Sequence, residues 1–161
     1  MAQKYVIAHF FKPEADGYNF SANEWPLHVT LLPNFTLRKS LEELESKIEE
    51  VALNTPSFEI EPQDRAVFGP NQDVPVMLIK PSDDLIGLHN NLIKVLDEVV
   101  ATYDTPQYIA DGYRPHATIQ ENGQVKVVQT YKVDNISLVD MFPGNDINRR
   151  AVIRTYSLKL L

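Results

Sequence analysis

Two short segments carry the same pattern, Pro26-Leu27-His28-Val29-Thr30-Leu31 and Tyr113-Arg114-Pro115-His116-Ala117-Thr118-Ile119. In each, a proline precedes a His-x-Thr triplet that runs on into branched aliphatic residues, which is how a short strand begins. Side chains two residues apart in a strand share a face, so each imidazole has a hydroxyl about 7 Å along on its own side. The chain must therefore fold around two half-buried strands of this kind. Facing each other across a cleft, they would set two proton-transfer groups and two hydroxyl donors around one small anion.

The repeat is more than coincidence. The chain has 4 His, and threonine occupies about one position in twenty. Two of four histidines standing two residues before a threonine is then expected on the order of once in a hundred chains. Either copy alone reads as a hydrogen-bonded structural histidine; the pair reads as a site. The other two histidines have structural readings. His9 shares a face with Ile7 and Phe11, as a packed imidazole at the edge of the core would. His89 falls beside a helical stripe and reads as a boundary residue.

At 161 residues and 18.3 kDa, the chain fits one domain, residues 1–161, built as two intimately packed lobes. The net charge of -7 and a pI near 5.0 argue against a long nucleic-acid footprint, DNA duplex included. A small nucleotide or an RNA end in a locally positive pocket stays compatible with that charge. Without cysteine there is no disulfide, thiolate metal site or thiol nucleophile. The paired histidines lack nearby His or Cys partners, so neither a metal nor a cofactor is expected. No signal peptide or membrane span is visible, and a cytoplasmic monomer is the expectation.

Along the chain, residues 5–11 read as a central strand and 12–25 as a loop long enough to rim a cleft. Its Tyr18, Phe20 and Trp25 suit either base stacking or anchoring of the loop. The first motif strand, 27–32, is expected to end at Pro33-Asn34. Ser40 and Glu43 form a capping box for a helix whose stripe is Leu41, Leu44, Ile48, Val51 and Ala52. Strands follow at 57–61, 64–69 and 74–80. A second helix starts at Ser82, with Leu85, Leu88, Leu92, Val95, Leu96 and Val99 as its stripe. Residues 104–114 form a loop into the second motif, and Asn122-Gly123 marks a turn. The valine-rich segment 125–133 prefers strand, and strands at 136–142 and 150–160 close the chain. The order predicts an α+β fold in two similar halves around a central cleft.

Pro-x-His-Val-Thr-Leu and Arg-Pro-His-Ala-Thr-Ile in a chain of this size resemble the 2H phosphoesterase superfamily, most closely its bacterial 2′–5′ RNA ligase and 2′,3′-cyclic phosphodiesterase group. The resemblance implies two pseudo-symmetric lobes whose antiparallel sheets line the cleft, with the helices packed outside. It implies metal-independent opening of a cyclic phosphate or a 2′–5′ linkage, with His28 and His116 catalytic and Thr30 and Thr118 holding the phosphate. Cyclic oligonucleotides, or nucleotide binding without catalysis, are the alternatives. Many members carry an arginine shortly after one motif; here the motifs run on as Leu31-Leu32-Pro33-Asn34 and Ile119-Gln120-Glu121-Asn122. Positive charge must come from Arg114, Lys80, Arg149, Arg150 or Arg154. Tyr113, Arg114, Trp25 and Arg154 are the further candidates for substrate contact.

Overall fold

The computed structural model describes residues 3–120 and 123–160. Its centre is β1 (Lys4–Phe10), in which every residue after Lys4 is buried. Around it β2 (Asn19–Ser21), β3 (His28–Thr36), β7 (Thr102–Tyr103), β10 (Asn135–Asp140) and β11 (Arg149–Ser157) complete a six-stranded antiparallel sheet. The spatial order is β2-β11-β10-β1-β3-β7. A second antiparallel sheet holds β5 (Pro62–Phe68), β6 (Val74–Ile79) and β8 (His116–Thr118), in that order. The strands β4 (Phe58–Ile60) and β9 (Tyr131–Val133) form a separate antiparallel pair.

The two helices among the described residues are α1 (Leu41–Asn54) and α2 (Asp83–Glu98). Each begins where a serine accepts an otherwise unpaired amide. Ser40 Oγ accepts from Glu43 N at 3.2 Å and Ser82 Oγ from Leu85 N at 3.3 Å. The helices pack on each other, α1 against β10 and β11 and α2 against β3. One apolar core draws on both large sheets and both helices, with Ile7, Leu31, Ile48, Met77, Leu92, Ala117 and Leu138 among its members. The other face of the six-stranded sheet carries a smaller cluster of Val6, Ala8, Phe10, Phe20, Val139, Met141 and Val152. Because β1 is buried on both faces, its sequence shows no polar alternation.

The fold is α+β with antiparallel sheets, but its halves are unequal: the first motif lies in six strands and the second in three. Two expectations need correction. The strand β3 does not stop at Pro33-Asn34; it continues to Thr36. The register with β1 shifts there, with Tyr5 opposite Phe35 and Ile7 opposite Leu32. A bulge needs no regular donor from each residue, so a proline is tolerated in it. In 125–133, only Tyr131–Val133 is strand. Val125 is buried while Val128 is 92% exposed, and the Tyr131 hydroxyl accepts from Lys126 N at 2.8 Å and donates to Gln129 at 2.9 Å. That tyrosine folds the segment back into a turn. Valine's preference for strands reports packing against neighbours, and Val128 has little of it among the described residues. Gln120 and Gly123 bridge the expected Asn122-Gly123 turn, whose residues 121 and 122 lie outside the described residues.

Candidate active site

Within β3, Val29 and Leu31 enter the core while His28 and Thr30 stay half-buried. In β8, Ala117 is buried while His116 and Thr118 stay half-buried. The period of two thus divides each motif as its sequence requires. At the motifs each strand is paired on one side only: His28 and Thr30 face Phe10 and Ala8 of β1, and His116 and Thr118 face Leu78 and Val76 of β6. The two strands lie side by side without hydrogen bonding to each other.

Two cavities flank the motif pair. One, of about 880 Å³, is lined by His28 and Thr118 together with Glu14, Tyr18, Glu24 and Trp25. The other, of about 700 Å³, is lined by Thr30 and His116 together with Phe68, Pro70, Tyr108 and Arg114. Each takes an imidazole from one motif and a hydroxyl from the other. This crossed arrangement comes only from setting the two strands against each other.

Both imidazoles are oriented by the same local bond. His28 Nδ1 lies 2.8 Å from the Pro26 carbonyl, and His116 Nδ1 lies 2.8 Å from the Arg114 carbonyl. A carbonyl only accepts, so Nδ1 carries the hydrogen in both rings, and the neutral form keeps its lone pair on Nε2. Each is therefore a ready proton acceptor, and an Nε2 donor once protonated.

The surroundings differ. Trp25 lies 4.7 Å from His28, ring centroid to ring centroid, and Phe10 lies 5.8 Å from it. Burial against these rings pushes the His28 pKa down to about 4, aided by positive charge on His116 and His9 and opposed by the bond to Pro26. His116 meets the edge of Phe68 at 4.6 Å. Its pKa is lowered first by burial and further by the Arg114 charge, against the bond to its own carbonyl partner.

Of the five candidate cations, Arg114 is the one that lines either cavity, with its guanidinium 4.8 Å over the Phe68 ring. The rest are engaged elsewhere. Arg154 reaches Glu49 of α1 at 3.5 Å and lies over Tyr156, so the structure does not bring it to the histidines. Lys80 pairs with Glu61 at 3.8 Å, and Arg149 donates to Asn19 at 2.6 Å. Arg150 turns inward and donates to the carbonyls of Met141, Ile147 and Arg149.

Trp25 is both an anchor and a cavity wall. It packs on Phe10 and Phe20 while facing the cavity, and its carbonyl accepts from Gln120 Nε2 at 3.0 Å. Tyr113 lines the His116 cavity, and its hydroxyl donates to the Thr30 carbonyl at 2.8 Å. Burial accordingly raises its pKa. Its ring stacks on His89 at 3.9 Å and 6°.

His89 is the residue that sequence reasoning misplaced. It is fully buried rather than at a boundary. Nδ1 donates to the Leu31 carbonyl at 2.7 Å and Nε2 accepts from Ala110 N at 3.0 Å. One ring thus joins the first motif strand to the loop that delivers the second. Ala110 has φ 54, a left-handed backbone that costs a residue bearing a Cβ, and the His89 bond holds it there. Nearby, a side chain at Gly112 would collide with the Gln107 carbonyl, so the loop needs glycine at that point. The available signal was spacing: His89 stands four residues after Leu85 and three before Leu92, on the buried stripe. Phe68 had no such signal.

Two opposed His-x-Thr strands in an α+β frame define the 2H phosphoesterase class. Within it the chain belongs to the 2′-5′ RNA ligase superfamily, whose family model matches residues 6–133. A crystal structure of a phosphoesterase resembles it with a TM-score of 0.61 at 17% identity, covering 99% of each chain. TT0787 of Thermus thermophilus does so with a TM-score of 0.62 at 18% identity, over 97% of this chain and 98% of that one. LigT of E. coli, solved with 3′-AMP, gives 0.57 at 17% identity and 99% of each chain. LigT has also been solved with ATP, NADP+ and phosphate. At these identities the likeness establishes the fold. No curated protein sequence matches the chain. Among the described residues no helix is long and apolar enough to cross a membrane, and no group of three or more His, Asp or Glu is gathered for a metal ion.

Proposed function

We propose that the protein is a phosphodiesterase that opens a cyclic phosphate or a 2′–5′ linkage in a small nucleotide or RNA end, with His28 and His116 as its acid–base pair. The observation that carries this reading is the crossed pair: two Nδ1-anchored imidazoles, each beside the other motif's threonine. The nucleotides in the LigT structures support a small nucleotide as ligand.

Cleaving the ester with water needs a base to accept the water proton and an acid to protonate the leaving ribose oxygen. His28, held near 4, is neutral at pH 7 and acts as the base through Nε2. An entering phosphate anion raises the proton affinity of both rings. The proton settles on His116, which then gives it from Nε2 to the leaving oxygen. Thr30 and Thr118 donate to the non-bridging oxygens, where charge grows in the transition state. Arg114, beside His116, supplies the cation that the segments after the motifs lack.

The test is turnover of a 2′,3′-cyclic mononucleotide with excess EDTA present. Wild-type protein is expected to hydrolyse it undiminished. His28→Ala or His116→Ala should each lower kcat about 10²- to 10⁴-fold with little change in thermal unfolding. Loss of activity on chelation, or ligands that bind and stay intact, would overturn the reading.

A further inference from the structure

Although the two motif strands share no ladder, side chains that flank the second motif reach the first from both ends. Ahead of His116, the Tyr113 hydroxyl donates to the Thr30 carbonyl at 2.8 Å. Beyond Thr118, Gln120 Nε2 donates to the Trp25 carbonyl at 3.0 Å. Tyr113 grips β3 itself. Gln120 grips the approach to it, three residues ahead of His28.

The peptide that Gln120 holds has unusual leverage. Between Trp25 and Pro26 there is no N–H, so the carbonyl is the hydrogen-bonding group of that peptide. The proline ring fixes the next backbone angle, φ of Pro26. Holding the peptide plane therefore leaves one soft rotation, ψ of Pro26, before the Pro26 carbonyl. That carbonyl accepts from His28 Nδ1 at 2.8 Å and sets the orientation and tautomer of the ring. The same plane carries the Cα of Trp25, whose indole lies 4.7 Å from the imidazole. Phe10 and Phe20 pack on the indole but give its backbone carbonyl no partner.

Gln120 is itself held. Its N–H donates to the Gly123 carbonyl at 3.0 Å, and the Gly123 N–H donates back at 3.4 Å. The turn so closed lies against Leu27: a Cβ at Gly123 would stand 3.9 Å from the Leu27 side chain. Gln120, Gly123, Leu27 and Trp25 all line the His28 cavity.

Resting on the phosphodiesterase reading above, we propose that Gln120 is the positioning residue of the base. From the end of the second motif it holds the Trp25–Pro26 peptide, and through it both the His28 ring and the indole that walls it. The half of the molecule that carries the acid thereby sets the geometry of the base. The titratable groups about His28 are His9 of β1, His116 of β8, and Glu14, Tyr18 and Glu24 on the cavity rim. A neutral substitution at Gln120 changes the charge of none of them.

The experiment uses Gln120→Met, which keeps the length and loses the donor, and Gln120→Asn, which keeps the amide and falls short. Tyr113→Phe, which cuts the other tie, is the control. Two measurements need no ligand: the NMR titration of the His28 ring, and the emission of Trp25, the single tryptophan. Both Gln120 variants should carry the His28 titration upward from about 4, by about one unit or more, as water reaches the ring. Trp25 emission should move to the red. Tyr113→Phe should move neither. On 2′,3′-cyclic AMP the Gln120 variants should lose up to about 10²-fold in kcat with KM little changed. The acid limb of kcat/KM should shift to higher pH, following the base. A raised KM with titration and emission unmoved would make Gln120 a ligand contact and overturn the proposal. Equal shifts in Tyr113→Phe would mean general loosening and overturn it too. If wild-type protein does not turn over the cyclic nucleotide, the phosphodiesterase reading has failed, and the two ligand-free measurements still decide whether Gln120 holds His28.

Discussion

The motif of β3 sits in a six-stranded sheet, whereas β8 is three residues long at the edge of a three-stranded one. Yet each histidine binds the carbonyl two residues behind it at the same 2.8 Å. Ring orientation and tautomer are thus local properties of the Pro-containing approach to each strand. Proton affinity is not. Trp25 and Phe10 wall His28 and bring it to about 4, while His116 looks onto Phe68 and shares its cavity with Arg114. Two nearly identical sequences become chemically unequal through what packs around them. A cleft built from equal halves would have no reason to prefer one ring as base.

The largest effects are expected when one ring is removed at a time and the leaving group is changed. On a 4-nitrophenyl diester, which departs without a proton, His116→Ala is expected to recover most of its loss of about 10²- to 10⁴-fold, while His28→Ala is not. The reverse pattern in single-turnover rates would exchange the two roles. The double variant should be little worse than the more damaging single one, since the pair acts as a unit.

Next in size are the hydroxyls. Thr30→Val and Thr118→Val remove a donor but no titrating group, so each should lower kcat by up to about 10²-fold without moving the pH profile. A changed profile would mean that the threonines act by tuning the histidines.

The strut between the motifs comes third. His89→Leu strands the Leu31 carbonyl and the Ala110 amide, which should destabilise the fold by about 1–3 kcal/mol in urea unfolding. With Ala110 released from its left-handed backbone, kcat on a cyclic phosphate should fall roughly tenfold, by the geometric loosening that misplaced catalytic groups suffer. Unchanged stability would show that Tyr113 alone ties the strands together.

The smallest effect is a displacement along the pH axis. The pKa values of His28 and His116 both lie below the ordinary 6.5 in the free protein, with His28 near 4. The singly protonated pair is therefore most abundant on the acid side of 6.5, and kcat/KM should peak there in a bell. Phosphate binding favours the protonated rings, so the limbs of kcat should lie at higher pH than those of kcat/KM. A kcat/KM that climbs steadily beyond about pH 9 would point to hydroxide or lysine in place of the pair.

Much of this protein was legible without coordinates. The alternation His28-Val29-Thr30-Leu31 and His116-Ala117-Thr118 assigns a face to every residue, because successive strand side chains must point oppositely. Ser40 and Ser82 declared their helices by satisfying amides only three residues away. Where the reading went astray, the deciding partner was remote. The bulge that admits Pro33 depends on β1, the exposure of Val128 on the lack of a strand beside it among the described residues, and the burial of His89 on a loop some twenty residues later. The cation at the site is the same case. Five were candidates by type, and of these Arg114 lines a cavity while the others are held by an ion pair, by Asn19 or by backbone carbonyls elsewhere. Sequence determined the chemistry available and the side of each strand that carries it, because strand period and capping act over a few residues. Tertiary structure decided which imidazole meets which hydroxyl, how strongly each holds its proton and where the charge lies, because desolvation and Coulomb interactions depend on distances that no local pattern encodes.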